Sequence, residues 1–201
     1  MRVSPKIRFV ILSIAFLGAF AALLLGADKQ FQAGTASSYS HQTANQVTVG
    51  AKSYDKPELT EEAFGKKTDF LKYGVLPVLV VIENKGRNAL DLQYLEVNLV
   101  ASDGRHAAAV SPDELFHVGR PTKRPGIKPL PIPTSRKKNP LETPEIAVRA
   151  FIAKMLPPGD STSGFFYFEA KPEAGDKIYL NGIRDARSKQ EMLYFEFPLE
   201  Q

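Results

Sequence analysis

The strongest constraint in this chain is a period of two. Between residues 46 and 199, apolar side chains recur at alternate positions in several short runs, the pattern of strands that bury one face. The clearest run is Val75 to Glu83, with Val78, Val80 and Ile82 on one face and Leu79 and Val81 on the other. Pro77 has no N–H to give to a ladder, so it belongs at the beginning of that strand or on a sheet edge. Asn84 to Asn88 form a turn, and Leu90 and Leu92 open the next extended segment. From Tyr94 to Ala101, Leu95, Val97 and Leu99 alternate with Glu96 and Asn98. Ser102-Asp103-Gly104 is a hairpin signal leading into a strand near Arg105 to Val110.

A further strand is expected at Gln46 to Tyr54, where Val47, Val49 and Ala51 alternate with polar neighbours. Thr60 to Phe64 has the composition of a short helical turn that Gly65 stops. After the turn at Leu156 to Asp160, three strands close the chain at Ser163 to Ala170, Lys177 to Arg184 and Glu191 to Leu199. The last of them sets Leu193, Phe195, Phe197 and Leu199 on one face, and Asp185 to Lys189 is read as a short polar loop. Aromatic and β-branched residues on both faces of several strands favour two packed sheets over one open sheet.

Residues 119–156 interrupt this pattern. Gly119 to Pro140 holds six prolines and seven basic residues with no acid among them, so it is neither a central strand nor a regular helix and runs extended. Thr143 then caps and Pro144 fits the first helical position. Val148, Phe151, Ile152 and Met155 follow at i, i+3, i+4 and i+7, which predicts about three turns of helix laid with that face on the sandwich. Glu145 and Arg149 form an i,i+4 pair on its outer side.

Segment 75–100, with Glu-Asn-Lys-Gly-Arg-Asn-Ala-Leu between an extended run and an alternating strand, resembles the early strands of bacterial immunoglobulin-like or fibronectin-like extracytoplasmic domains. Leu-Pro-Pro-Gly-Asp before the strand in 156–169 is similar to their turn-then-strand element. The resemblance implies an all-β, immunoglobulin-like β-sandwich of about seven strands over 46–201, with the basic proline-rich loop and one short helix inserted. Such domains act mostly as binding or scaffolding modules, and the fold alone fixes no activity.

The amino-terminal residues set a second expectation. Arg2, Lys6 and Arg8 precede an uncharged run from Phe9 to Ala27, which at about 1.5 Å per residue nearly spans a hydrocarbon layer. Residues 1–27 are read as a signal anchor or a signal peptide. The length favours retention as a transmembrane helix, while Gly34-Thr35-Ala36 offers a cleavage site. Three positive charges keep the amino terminus cytoplasmic, so the expected location is the inner membrane, single pass, with the rest in the periplasm or outside, or secreted if the segment is cleaved. Residues 28–45 are read as a flexible tether. Beyond residue 8, 23 basic residues face 22 acidic ones, so the exported part is nearly neutral and the overall charge of +4 is a poor argument for nucleic acid.

Chemistry-bearing motifs are sparse. The chain has no cysteine, which excludes disulfides and thiolate chemistry. Its three histidines, His41, His106 and His117, form no metal-ligand spacing, and no G-x-S-x-G elbow or glycine-rich phosphate loop occurs. We expect no enzyme, no catalytic residues, no metal and no cofactor. The candidate interaction residues are Arg120, Lys123, Arg124, Lys128, Arg136, Lys137 and Lys138, held extended by the prolines. They suit another envelope protein or an anionic membrane surface. The segment has no aromatic platform for nucleic acid. The expected function is therefore a membrane-tethered structural or interaction module. The alternative is a small-ligand or carbohydrate-binding module on an aromatic-bearing sheet face, with Tyr167, Tyr179 and Tyr194 as its residues.

Overall fold

The computed structural model describes residues 31–65, 68–115, 117–118, 141, 143–192 and 194–199. Alternation becomes strand wherever it was strongest. Val47–Ser53 (β2), Leu76–Asn84 (β3), Glu96–Val100 (β5), His106–Val110 (β6), Ser161–Phe168 (β8), Lys177–Asn181 (β9) and Phe195–Pro198 (β11) all form. Three short pieces, Leu90–Asp91 (β4), Met155–Leu156 (β7) and Arg184–Asp185 (β10), pair with one another at one end. Pro77, second in β3, lies between β2 and β8 but near the strand's beginning, where its carbonyl accepts from Tyr54 N–H at 2.9 Å.

With Ser40–Ala44 as β1, eight strands run in the order β1-β2-β3-β8-β6-β5-β9-β11, every pair antiparallel. β6 makes the corner. Its first half pairs with β5 (Ala108 with Asn98) and its last two residues pair with β8 (Ala109 with Phe168). The strands thus fold over as two sheets around one core, an all-β, sandwich-like arrangement close to a barrel. Val49, Val78, Val80, Ile82, Val97, Leu99, Phe168, Ile178, Leu180 and Phe195 fill the space between the sheets.

The first strand, Ser40–Ala44 (β1), lies within the stretch 28–45 read as a flexible tether. It pairs with β2 from Ser40↔Ala51 to Ala44↔Val47. Its sequence, SHQTA, carries no apolar alternation because it is a polar strand at the sandwich rim, so periodicity had nothing to report. Asn45 and Gln46 make the turn with both φ values positive, 49° and 64°, the twist a two-residue hairpin loop requires.

A second, smaller core lies outside the sandwich. Pro57–Phe64 (α1), ended by Gly65, covers the outer face of β8, where Phe64 meets Phe165 at 4.6 Å and Phe70 at 4.7 Å between ring centroids. Pro112–Leu115 (α2) and Pro144–Arg149 (α3) contribute the buried Leu115 and Ile146. The three-turn helix predicted from 144 is therefore only six residues long, and Val148 and Ile152, each 76% exposed, do not face a core. The chain leaves the helix at Ala150 to form a parallel bridge with Phe165. Phe151 then gives its N–H to Phe165 O and stacks on Phe166. Gly164 makes this possible, since a Cβ there would overlap the Phe151 backbone.

Among the described residues no helix is long and apolar enough to cross a membrane. The longest, α1, has eight residues and rises about 12 Å, against a hydrocarbon layer of about 30 Å. The reading of a single-pass inner-membrane protein with its domain in the periplasm is corrected on this point. So is the membrane-tethered module with an envelope or anionic-surface partner that was built on it. Residues 9–27, which carried that reading, and the basic residues 120–138 both lie outside the described residues.

Candidate functional site

The second sheet has one face in the core and one in solvent. Along β9, Ile178 and Leu180 point inward, so Lys177, Tyr179 and Asn181 point out. Along β11, Phe195 and Phe197 point inward and Glu196 outward. Register sets Tyr179 between Asn98 of β5 and Glu196 of β11, and Asn181 opposite Glu96. Tyr194, the residue before β11, lies diagonally from Tyr179. The two rings stack with centroids 5.3 Å apart and planes 28° from parallel.

Two of the three expected tyrosines are thus together on one solvent face, with Tyr194 53% exposed. The third is elsewhere. Tyr167 stands on β8 in the other sheet, turned toward α1 and α3, and is buried, with its hydroxyl donating to Ile146 O at 2.8 Å. Burial pushes that hydroxyl's pKa above the usual tyrosine value. Alternation along β8 puts Tyr167 on the face opposite Phe168. It carried no sign that Phe64, Phe70 and Ile146 would cover that face.

Around the stacked pair the side chains are polar. Lys177 Nζ and Glu196 Oε1 form an exposed ion pair at 2.9 Å, while Glu196 N–H donates to Gln42 Oε1 of β1 at 2.8 Å. Asn181 Oδ1 is shielded from water and has no hydrogen-bond partner among the described residues. A buried carbonyl oxygen without a donor carries a desolvation cost. The face therefore combines an aromatic pair with neighbouring polar side chains, Asn98, Lys177 and Glu196.

Among the described residues no group of three or more His, Cys, Asp or Glu side chains is placed to hold a metal ion. His41 donates through Nδ1 to Tyr39 O at 2.8 Å, and His106 begins β6 on the exposed side.

One aromatic contact escaped the sequence reading. Arg184 lies over the half-exposed Tyr94, its guanidinium carbon 4.3 Å from the ring centroid, and also meets Glu191 at 3.5 Å. The pairing depends on the turn at Gly182 (φ 81°), where a Cβ would overlap Tyr94 O. Only the glycine itself marked it in the sequence.

No protein-family model matches the chain, and no curated protein matches it. Similar solved structures include a Bacillus subtilis protein described as a lipoprotein, YcdA, at 12% identity and TM-score 0.38, covering 80% of this chain. The chain spans only 38% of that protein's length. The ApaA protein of Bordetella pertussis aligns at 12% identity and TM-score 0.35 over 81% of this chain and 98% of its own. The secreted protein MPT63 of Mycobacterium tuberculosis aligns at 16% identity and TM-score 0.36 over 84% and 99%. None of these likenesses bears on what the protein does.

Proposed function

We propose that this chain is a non-catalytic binding module and that the outer face of β5, β9 and β11 receives a carbohydrate. The observation that supports this reading is the solvent-facing, stacked Tyr179–Tyr194 pair, with Asn98 opposite Tyr179. Sugar rings have an apolar C–H face and a rim of hydroxyls. An aromatic platform takes the first, and amide groups, which both donate and accept, take the second. Two tyrosines also lose little conformational freedom on binding, and their stack already holds them in place.

The test is calorimetric titration of the full chain with neutral oligosaccharides: cellohexaose, chitohexaose and mannohexaose. At least one is expected to bind, and Tyr194→Ala is expected to weaken that binding by about tenfold or more, the effect of losing roughly 1.4 kcal/mol of stacking. Tyr194 is half exposed, so its removal should leave the fold intact. Absence of binding to all three sugars, or unchanged affinity in Tyr194→Ala, would reject the reading.

A further inference from the structure

A cleft of about 580 Å³ opens at the end of the sandwich where the β1–β2 turn, the 84–88 turn and the 185–192 loop meet. Asn45, Gln46, Arg87, Asn88, Asp185 and Gln190 stand around it. Its walls are fixed in advance. Asn88 Nδ2 donates to Asp185 Oδ2 at 2.7 Å, and Asp185 Oδ1 accepts from the N–H groups of Arg187 and Ser188 at 2.9 and 2.8 Å. Those contacts, the Ser188 N–H foremost and the Asn88 amide next, hold the Asp185 carboxyl below the usual range, so it stays ionised at neutral pH.

Backbone strain gathers at this cleft. Asn45, Gln46 and Lys189 are the non-glycine residues with positive φ among the described residues, at 49°, 64° and 57°. The first two line the cleft, and Lys189 stands between Ser188 and Gln190, which also line it. Glycine is the relaxed choice at the second position of such a hairpin turn. The chain has Gln46 there instead, with its side chain at the cavity. Strained backbone that persists around one cavity points to a use for that cavity.

Charge then narrows the ligand. Of the nearby cations, Lys85 pairs with Glu83 at 3.3 Å, Lys189 with Asp91 at 3.2 Å and Arg184 with Glu191 at 3.5 Å. Arg87 is exposed, forms no ion pair among the described residues and is the one cation among the residues that line the cleft, whereas Arg187, also exposed, meets Asp185 through its backbone N–H and is not part of that lining. We infer that the cleft binds a small, hydroxyl-bearing monocarboxylate of the uronic-acid type, with the Arg87 fork on the carboxylate and the amides of Asn45, Gln46 and Gln190 on the hydroxyls. A planar guanidinium matches a carboxylate in two parallel hydrogen bonds. A phosphate dianion would bring a second negative charge toward Asp185 and Glu191, which both line the cleft, where Arg87 is the one lining cation to meet it. This site is separate from the tyrosine pair and stands or falls independently of it.

The experiment is calorimetric titration of the full chain with D-galacturonate, D-galactose and D-galactose 1-phosphate. Galacturonate is expected to bind at least about tenfold more tightly than either of the others. Arg87→Ala should reduce it to the level of galactose, and Arg87→Lys, which keeps the charge without the fork, should restore it only in part. Gln46→Gly separates function from structure. Relief of the strained φ is expected to raise Tm by about 2–4 °C while galacturonate affinity falls, whereas a merely structural turn would give the first without the second. Tyr194→Ala should leave galacturonate binding unchanged. No binding of galacturonate, equal binding of galactose, tighter binding of the phosphate, or an Arg87→Ala variant that binds as before would each overturn the inference.

Discussion

Asn84 is 1% exposed at the end of β3, and each of its polar groups has a partner. Its backbone N–H donates to Asp160 O at 3.0 Å and its carbonyl accepts from Gly159 N–H at 2.7 Å. In the side chain, Nδ2 faces the carbonyls of Asn88, Pro157 and Leu156 at 2.8, 3.1 and 3.2 Å, and Oδ1 accepts from Gly86 N–H at 3.0 Å. One amide thus ties the end of β3 to the turn that follows it and to the turn before β8. Removing it leaves buried carbonyls without donors, so Asn84→Ala should lower stability by about 3 kcal/mol, read from the urea midpoint at unchanged slope. Asn84→Asp should be worse. A carboxylate cannot donate, and it would set a negative charge against three carbonyl oxygens. A loss below about 1 kcal/mol in Asn84→Ala would mean that the backbone bonds alone hold this junction. The sequence marked Asn84 as a strand end followed by a turn. Of the three carbonyls that converge on it, those of Leu156 and Pro157 come from 72 and 73 positions away, which local pattern does not reach.

At the scale of elements, legibility followed burial. β2, β3, β5, β8, β9 and β11 were readable because one face of each meets the core, and that burial is what writes a period of two into a sequence. β1 was unreadable because its partly buried positions are Ser40, Gln42 and Ala44, which carry no hydrophobic signal. The helix after Thr143 failed for a different reason. Its spacing was right for an amphipathic helix, but Ala150 and Phe151 are captured by β8, and only a glycine at 164 lets the two backbones approach. That contact is a property of two segments at once. For the candidate site, Tyr179 and Tyr194 were named because a tyrosine hydroxyl suits a boundary, which does not tell them from the buried Tyr167, whereas the cleft at Arg87 was not legible, because it is assembled from three turns far apart in the chain. Gly164→Ala tests the capture directly. The added Cβ would overlap Phe151, and the expected result is a loss of about 1–3 kcal/mol together with new protease sensitivity between 149 and 153. If the variant kept both its stability and its resistance, the close approach would be incidental to where α3 ends.

For the whole sandwich, the decisive place is the seam between β1 and β11, the first and last strands of the eight-stranded order. They are not joined by a ladder. Two side chains of β1 bridge the gap instead: Ser40 Oγ donates to Pro198 O, and Gln42 Oε1 accepts from Glu196 N–H at 2.8 Å. These occupy backbone groups of β11 that would otherwise form an open edge, the feature through which sheet proteins add foreign strands. The seam therefore serves two ends, closing the arrangement toward a barrel and denying a second chain a template. Pro198 adds to the second, since it has no N–H to offer. Replacing both bridges, in Ser40→Ala with Gln42→Ala, should cost only about 1–2 kcal/mol, because the freed groups lie where water can reach them. Its distribution is the informative part. In native-state hydrogen exchange, the amide of Glu196 should lose protection while those of β3 and β8 keep theirs. The variant should also associate as its concentration rises in sedimentation, which the parent should not do. Uniform loss of protection across all strands would instead mean that the seam holds the whole sandwich together and does more than shield one edge.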